Sequence, residues 1–262
     1  MKTVSSLIEH LKLFEKNREQ LVSKSIISPF SRKEYADAIA CCFCPCAKKI
    51  LAGHLIVKNN VEGNKAIVRK IYPTAIELYY HEEGEGRFKD PIMYHTNDRK
   101  KVDHILNPTH PDYFDLRGIE RLPYFPFGNL NPHTSGIDIT FENPDKKYRA
   151  SFLIREYKVE YESGKTLPIR NSTDIYDDML INGITLDNTD CIEWEWKDGK
   201  EIGKDRIERR WRKNVADYEP IKINDDSYYW RKKEGKQGND SFSIGGHYYK
   251  KCPFDWQFRI KS

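Results

Sequence analysis

Glu77, Tyr79, His95, His133 and Arg155 are polar or titratable residues in the middle of the chain, in segments where strand-like runs give way to loops. Scaffolds usually display reactive groups at such places. Glu77 lies in AIELYY with Ile76 and Leu78 on the opposite face of the strand, so it shares a face with Tyr79. A carboxylate facing an aromatic pocket is suited to act as a general base. The same spacing also fits an exposed strand glutamate paired with a lysine. Arg155 sits among Phe152, Leu153, Ile154 and Tyr157, an awkward place for a cation without an anionic partner. Glu77 would serve as that partner. The alternative is an edge-strand arginine that reaches solvent along its aliphatic stem.

Metal chemistry is weakly signalled. Cys41 and Cys44 form one C-x-x-C pair, and a structural zinc site needs four ligands, a set that Cys191 and Cys252 could in principle complete. Small apolar cysteines packing helix on sheet are the commoner use of such residues. Asp90, His95 and His110 lack the H-x-x-x-H or paired-carboxylate spacing of a metal site, and no Gly-rich phosphate loop or nucleophile elbow is present. The expectation is a site without metal or cofactor. Basic residues alternate with aromatics in RIERRWRKN and SYYWRKKEGKQ, a mixture that can hold phosphates while rings stack on bases. Solvated aromatic strands carry the same composition.

The elements that must position these residues are legible in outline. Ser6 and Glu9 have capping-box spacing ahead of Leu7, Ile8, Leu11 and Phe14, predicting a helix from about residue 6 to 20. Ser31 and Glu34 repeat the signature before YADAIACCF, and Pro45 suits the first turn of a short third helix, CAKKILA. From His54 the chain turns to HLIVKN, a turn at Glu62-Gly63-Asn64, KAIVRKIY and AIELYYHE, rich in residues that fit a pleated surface. Residues 97 to 135 carry five prolines and read as long surface loops. GIDITF, RASFLIREYKV and CIEWEWKDGKEI read as strands, STDIYDDMLIN as a helix, and the basic, aromatic stretch from Arg206 to Ser262 as sheet. The reading is one α+β domain over residues 1–262, helical to residue 52 and β-rich thereafter, its sheet mainly antiparallel and flanked by helices, with a loop insertion near 97–127.

Composition bounds the classes of function. With 262 residues, 38% of them hydrophobic and 13% aromatic, the chain is large enough to bury a core and too aromatic for a disordered tail. Forty-four Lys plus Arg against 40 Asp plus Glu leave +4, which permits a polyanionic partner without requiring one. No export signal or membrane-spanning run is evident. Four of the six cysteines crowd into Cys41, Cys42, Cys44 and Cys46, where bridges across a core cannot form, so a reducing, cytoplasmic compartment is expected.

Read in order, CPCAKKILAGHLIV, KAIVRKIYPTAIELYYHEEG, KDPIMYH, FGNLNPHTSGIDITFE and ASFLIREYKVE resemble the alkyladenine (3-methyladenine) DNA glycosylase family over residues 44 to 160. Glu77, Leu78 and Tyr79 match the family's Glu-Ala-Tyr motif with Leu for Ala. Asp90, Pro91 and His95 match its Asp-Pro segment ending in His, Gly128 and Gly136 its turn and internal glycine, and Arg155 its active-site arginine. The resemblance implies the curved sheet of that fold and a monomeric N-glycosylase excising a damaged or alkylated purine in base excision repair. Glu77 then activates water against C1′ of a flipped nucleotide, Arg155 orients it, and Tyr79 with His95 walls the base pocket. Ser135 stands where the family has a wedging Tyr and Glu142 where it has a pocket Asn, while His133 offers a stacking face. DNA, single-stranded where the wedge is missing, or a free nucleoside is the partner so implied. A non-catalytic nucleic-acid-binding protein and a hydrolase of small N-glycosides are the other readings, the latter suited by Ser135 and Glu142.

Overall fold

The computed structural model describes residues 8–27, 32–59, 67–83, 88, 124, 128–133, 136–175, 192–210, 212, 218–224, 227–232, 241–244, 247–250 and 255–261. Helix α1 (Ile8–Ile27) presents Leu11, Phe14, Arg18 and Leu21 to the core. It runs seven residues past the predicted end because Arg18 interrupts the apolar face in sequence yet is buried in space, so Leu21 continues the same stripe. Helix α2 (Arg32–Ala52) is continuous, and Pro45 lies inside it rather than opening a third helix. Pro45 and Cys41 are both exposed, so the proline ring lies on the solvent side of the helix. Cys46 is buried and donates its thiol to His10 O at 3.1 Å, joining the two helices. The described cysteines are free thiols on α2. Cys191 and Cys252 lie outside the described residues.

Strand β1 (His54–Asn59) leads to β2 (Ile67–Glu82), a single 16-residue strand that joins the two segments read separately in the sequence. The remaining strands are β3 (Asn129–His133), β4 (Gly136–Thr140), β5 (Tyr148–Tyr161), β6 (Arg170–Asn171), β7 (Ile192–Lys197), β8 (Ile207–Arg210), β9 (Tyr218–Asn224), β10 (Ser227–Lys232), β11 (Ser241–Ile244), β12 (His247–Lys250) and β13 (Gln257–Ile260). Nine form one sheet in the order β3-β4-β5-β2-β1-β7, with β13 on β2, β8 on β13 and β6 on β5. Every pairing in it is antiparallel. β9 with β10 and β11 with β12 make separate two-stranded sheets. The architecture is therefore α+β, as the composition and periodicity predict.

β3 falls inside the stretch read as loop. It contains Pro132 and lies at the sheet edge, the position where a residue without an N–H does not interrupt a ladder. Of STDIYDDMLIN, the described part is a 3-10 turn, Ser172–Asp174, followed by Ile175. The rest of that segment, the turn at 62–64 and most of the 97–127 insertion lie outside the described residues.

Both helices pack on the face of the sheet where Ile76, Leu78 and Tyr80 join the core cluster. Phe14 stacks on Phe43 at 3.7 Å, and these rings meet Tyr80, Phe141 and Phe152 edge-on or tilted. Within this apolar layer Arg18 Nε donates to Tyr80 OH, and Tyr80 and Tyr35 donate to Glu82 Oε1, each at 2.5 Å. The guanidinium also lies over the Tyr148 ring. That polar knot ties both helices to the far end of β2.

The ladder between β2 and β5 changes phase in its middle. Ile76 pairs with Ile154 and Ala75 with Glu156, so Arg155 is an extra residue of β5 with no opposite number. One step on, Pro73 pairs with Tyr157 and Thr74 is the extra residue of β2. Two compensating bulges thus switch the face parity of both strands, which is why Ile71 and Ile76, like Ile154 and Tyr157, all reach one core. The switch falls where the second edge of β2 passes from β1, which ends its pairing at Ile71, to β13, which begins at Ala75.

Candidate functional site

The face of the sheet away from the helices is built mostly from polar residues. Glu77, Tyr79 and His81 alternate along β2, Arg149, Ser151 and Leu153 along β5, and Asp138, Thr140 and Glu142 from β4 onward. Asp138, Leu153, Glu77 and Gln257 are successive register partners, so one row crosses β4, β5, β2 and β13. In spite of its polarity this row is buried. Glu77 has 0% of its surface exposed and Gln257 4%.

Glu77 is the centre of the cluster. Arg155 Nη2 donates to Glu77 Oε2 at 2.5 Å and lies 3.1 Å from Tyr79 OH. Tyr79 OH donates to the same Oε2 at 3.0 Å. A guanidinium has only donors, so Tyr79 accepts from Arg155 and its own proton turns to Glu77. Gln257 Nε2 approaches from the neighbouring strand and donates to Oε1 at 2.9 Å. Arg155 follows core-facing Ile154 and so faces the polar side of the sheet, and it is the unpaired residue of the bulge in β5. Its Nη1 meets Ser172 Oγ at 3.3 Å, which anchors it to the 3-10 turn.

Space for that turn comes from Gly136. A Cβ there would stand 2.9 Å from Ser172 Cβ and 3.0 Å from Leu153 Cδ1, and its φ of +137° is a conformation that L side chains rarely adopt.

Electrostatics follow from burial and contact. Burial pushes the Tyr79 phenol well above its ordinary range, and the adjacent Glu77 carboxylate adds to the shift. Burial by itself would lower the Arg155 value, but Tyr79 and Glu77 outweigh it and the guanidinium is held above its usual value. Arg155 therefore stays a cation and Tyr79 a neutral donor at any physiological pH.

Three residues of the site escaped the sequence reading, Ser172, Gln257 and Arg212. Gln257 gave no signal, since it lies 180 positions from Glu77 and a lone glutamine in a short strand is unremarkable. Arg212 belongs to RIERRWRKN, the stretch read either as a phosphate-contacting surface or as a solvated aromatic strand. It is instead 3% exposed, donates Nη1 to Leu78 O at 3.0 Å and sits over the rings of Tyr79 and Trp256. Its neighbour Arg209 also turns inward, to Asp255 O and Asp37. Arg212 thereby supplies a donor to a buried carbonyl of β2.

The other predicted positions divide. Glu142 is buried on the same face but pairs with Arg149 Nη1 at 3.2 Å, in a second cluster with Glu83 and the Tyr124 ring. That cluster lies level with His81 and Arg149, four residues along β5 from Leu153, or roughly 13 Å at the strand rise. Glu142 is thus not brought to Glu77. His133 occupies the last position of β3, paired with Gly136. His95 and Ser135 lie outside the described residues.

Among the described residues no group of three or more His, Cys, Asp or Glu is arranged to hold a metal ion. No described helix is long and apolar enough to cross a membrane. The arrangement offers a buried, oriented carboxylate gripped by a cation and two neutral donors, suited to taking a proton from a water or hydroxyl brought against it. No family model, no curated protein and no solved structure matches this chain.

Proposed function

We propose that the protein hydrolyses the N-glycosidic bond of a modified purine, as a divergent member of the alkyladenine DNA glycosylase type and on a sheet of that kind. The observation that carries this reading is the contact of Arg155 on β5 with Glu77 and Tyr79 on β2, 78 and 76 positions away, three residues that the resemblance picks out together. In the reaction a water oxygen attacks C1′ while the C1′–N bond breaks and its electron pair leaves with the base. Glu77 takes the proton of the attacking water. Arg155 and Tyr79 hold the carboxylate, and its negative charge stabilises the positive sugar that develops as the bond lengthens.

Base release is the test. Oligonucleotides carrying alkylated or deaminated purines, single- and double-stranded, are incubated with the wild-type protein and with Glu77→Gln. Release by the wild type that disappears in the variant is the expected result, with single strands preferred because Ser135 replaces the family's wedge. Absence of release from every oligonucleotide overturns it.

A second reading, hydrolysis of a free nucleoside, is favoured by the complete burial of Glu77. A small ligand reaches an enclosed carboxylate with less displacement than a polymer does. Turnover of nucleosides without salt-sensitive polymer binding would select it. A non-catalytic nucleic-acid-binding role is weakened by the inward turn of Arg209 and Arg212, the cations that would have formed part of its contact surface.

A further inference from the structure

We infer that Gln257 is a positioning residue for Glu77, the group that fixes the plane of the carboxylate; the inference rests on the reading of Glu77 as the base. Arg155 and Tyr79 both meet Oε2. A glutamate gripped at one oxygen still turns about its terminal torsion, which has a broad, roughly two-fold profile. A donor on the other oxygen removes that freedom, and Gln257 Nε2 supplies it at 2.9 Å on Oε1. The lone pairs of both oxygens then point in set directions, and a proton acceptor in general-base catalysis depends on that alignment.

The surroundings of Gln257 are built to hold it. It is the direct register partner of Glu77 on one side of β13 and of Arg210 on the other. The preceding residue, Trp256, is fully buried and donates its indole N–H to Ala36 O at 3.0 Å, under helix α2. Trp256 O in turn accepts from Leu78 N at 2.8 Å, beside Glu77 on β2. The next residue, Phe258, is buried in the core against Phe152. The backbone on both sides of Gln257 is therefore pinned, and its side chain meets the carboxylate from a fixed origin. An amide is fitted to this place because its N–H group donates without carrying charge, whereas a second cation would compete with Arg155 for the same carboxylate.

The experiment compares wild type, Gln257→Met and Gln257→Glu in single-turnover base release on the substrate that the wild type accepts. Both substitutions keep the length of the side chain; Gln257→Met removes the donor, and Gln257→Glu sets a second carboxyl group, as a like charge or sharing a proton, against Glu77. The expected result is a rate lowered about tenfold or more with substrate affinity unchanged. Release at the wild-type rate in both variants overturns the inference while leaving the glycosylase reading intact. An inactive wild type overturns that reading and the positioning role with it. If neither variant folds, the side-chain amide resonance of Gln257 in the otherwise native protein decides. It is expected to move on Glu77→Gln, and a resonance that does not move overturns the inference.

Discussion

Arg155 reaches Glu77 from a bulge: the guanidinium that lies 2.5 Å from the carboxylate belongs to the residue of β5 that has no opposite number on β2. A regular ladder would have continued the alternation from Ile154 through Arg155 to Tyr157 and placed Tyr157 on the polar face. Alternation from Ile154 already puts the arginine on the polar face, and the bulge returns Tyr157 to the core.

Glu77 and Arg155 should be energetically coupled. Glu77→Gln and Arg155→Met are each expected to cost about 3–5 kcal/mol, because each leaves a buried partner uncompensated. The double variant should cost less than the sum by about 1–3 kcal/mol. Urea denaturation of the four proteins measures this, and strict additivity would show that the pair is not coupled.

The Arg18 knot should hold the helices to the sheet. Arg18 lies 3.6 Å from Glu82 with both side chains buried. Arg18→Met is expected to lower stability by about 3–5 kcal/mol, read as a lower urea midpoint, and Tyr35→Phe by about 1–3 kcal/mol through loss of a single donor to a charged oxygen. A midpoint unchanged in Arg18→Met would refute this account of how α1 is attached.

Gly136→Ala should act on Arg155 at a distance. The added methyl meets Ser172 and Leu153 at a φ of +137°, so an expected loss of about 1–3 kcal/mol comes with displacement of the turn that holds Arg155 Nη1. A thermal melt gives the first effect. The second appears as a base-release rate lower than that of Tyr35→Phe, a control variant expected to lose a similar amount of stability.

Alkaline conditions should weaken the fold. Burial raises the thiols of Cys42 to about 11 and Cys46 to about 12 from 9.0, and it also raises the phenols of Tyr79 and Tyr80 well above 10.0. For Tyr79 and Tyr80 nearby carboxylates reinforce the effect. Between the unfolded and folded values the native state binds more protons, so stability is full below about pH 9 and falls as pH rises beyond it. Denaturation midpoints across the range from neutral to pH 11 should show this decline, and Cys46→Ala together with Tyr80→Phe should flatten it.

Thiol reactivity should follow exposure along α2. Cys41 is exposed and Cys46 buried. Brief alkylation of the native protein followed by peptide mapping is expected to find Cys41 modified and Cys46 protected. Equal modification of the two would mean that α2 does not pack as described.

The sequence by itself determined what local periodicity can carry. Alternation in AIELYY put Glu77 and Tyr79 on one face with Ile76 and Leu78 opposite, and β2 has that arrangement. The apolar setting of Arg155 pointed to an anionic partner or to a stem that reaches solvent, and the structure pairs it with Glu77. The α+β class and most strands were equally legible. Periodicity failed where a residue breaks its own pattern for a tertiary reason: Arg18 at a core position, Pro45 on a solvent-facing turn, Pro132 on an edge strand, and the paired bulges at Thr74 and Arg155. Gln257, Ser172 and Arg212 reached the site only through the tertiary structure. Their partners lie 180, 17 and 134 positions away, and no spacing rule links residues whose proximity depends on which strands pair. Side-chain direction is a property of the strand, written every second residue, whereas the neighbour it meets is set by sheet order, which the burial of the whole core decides.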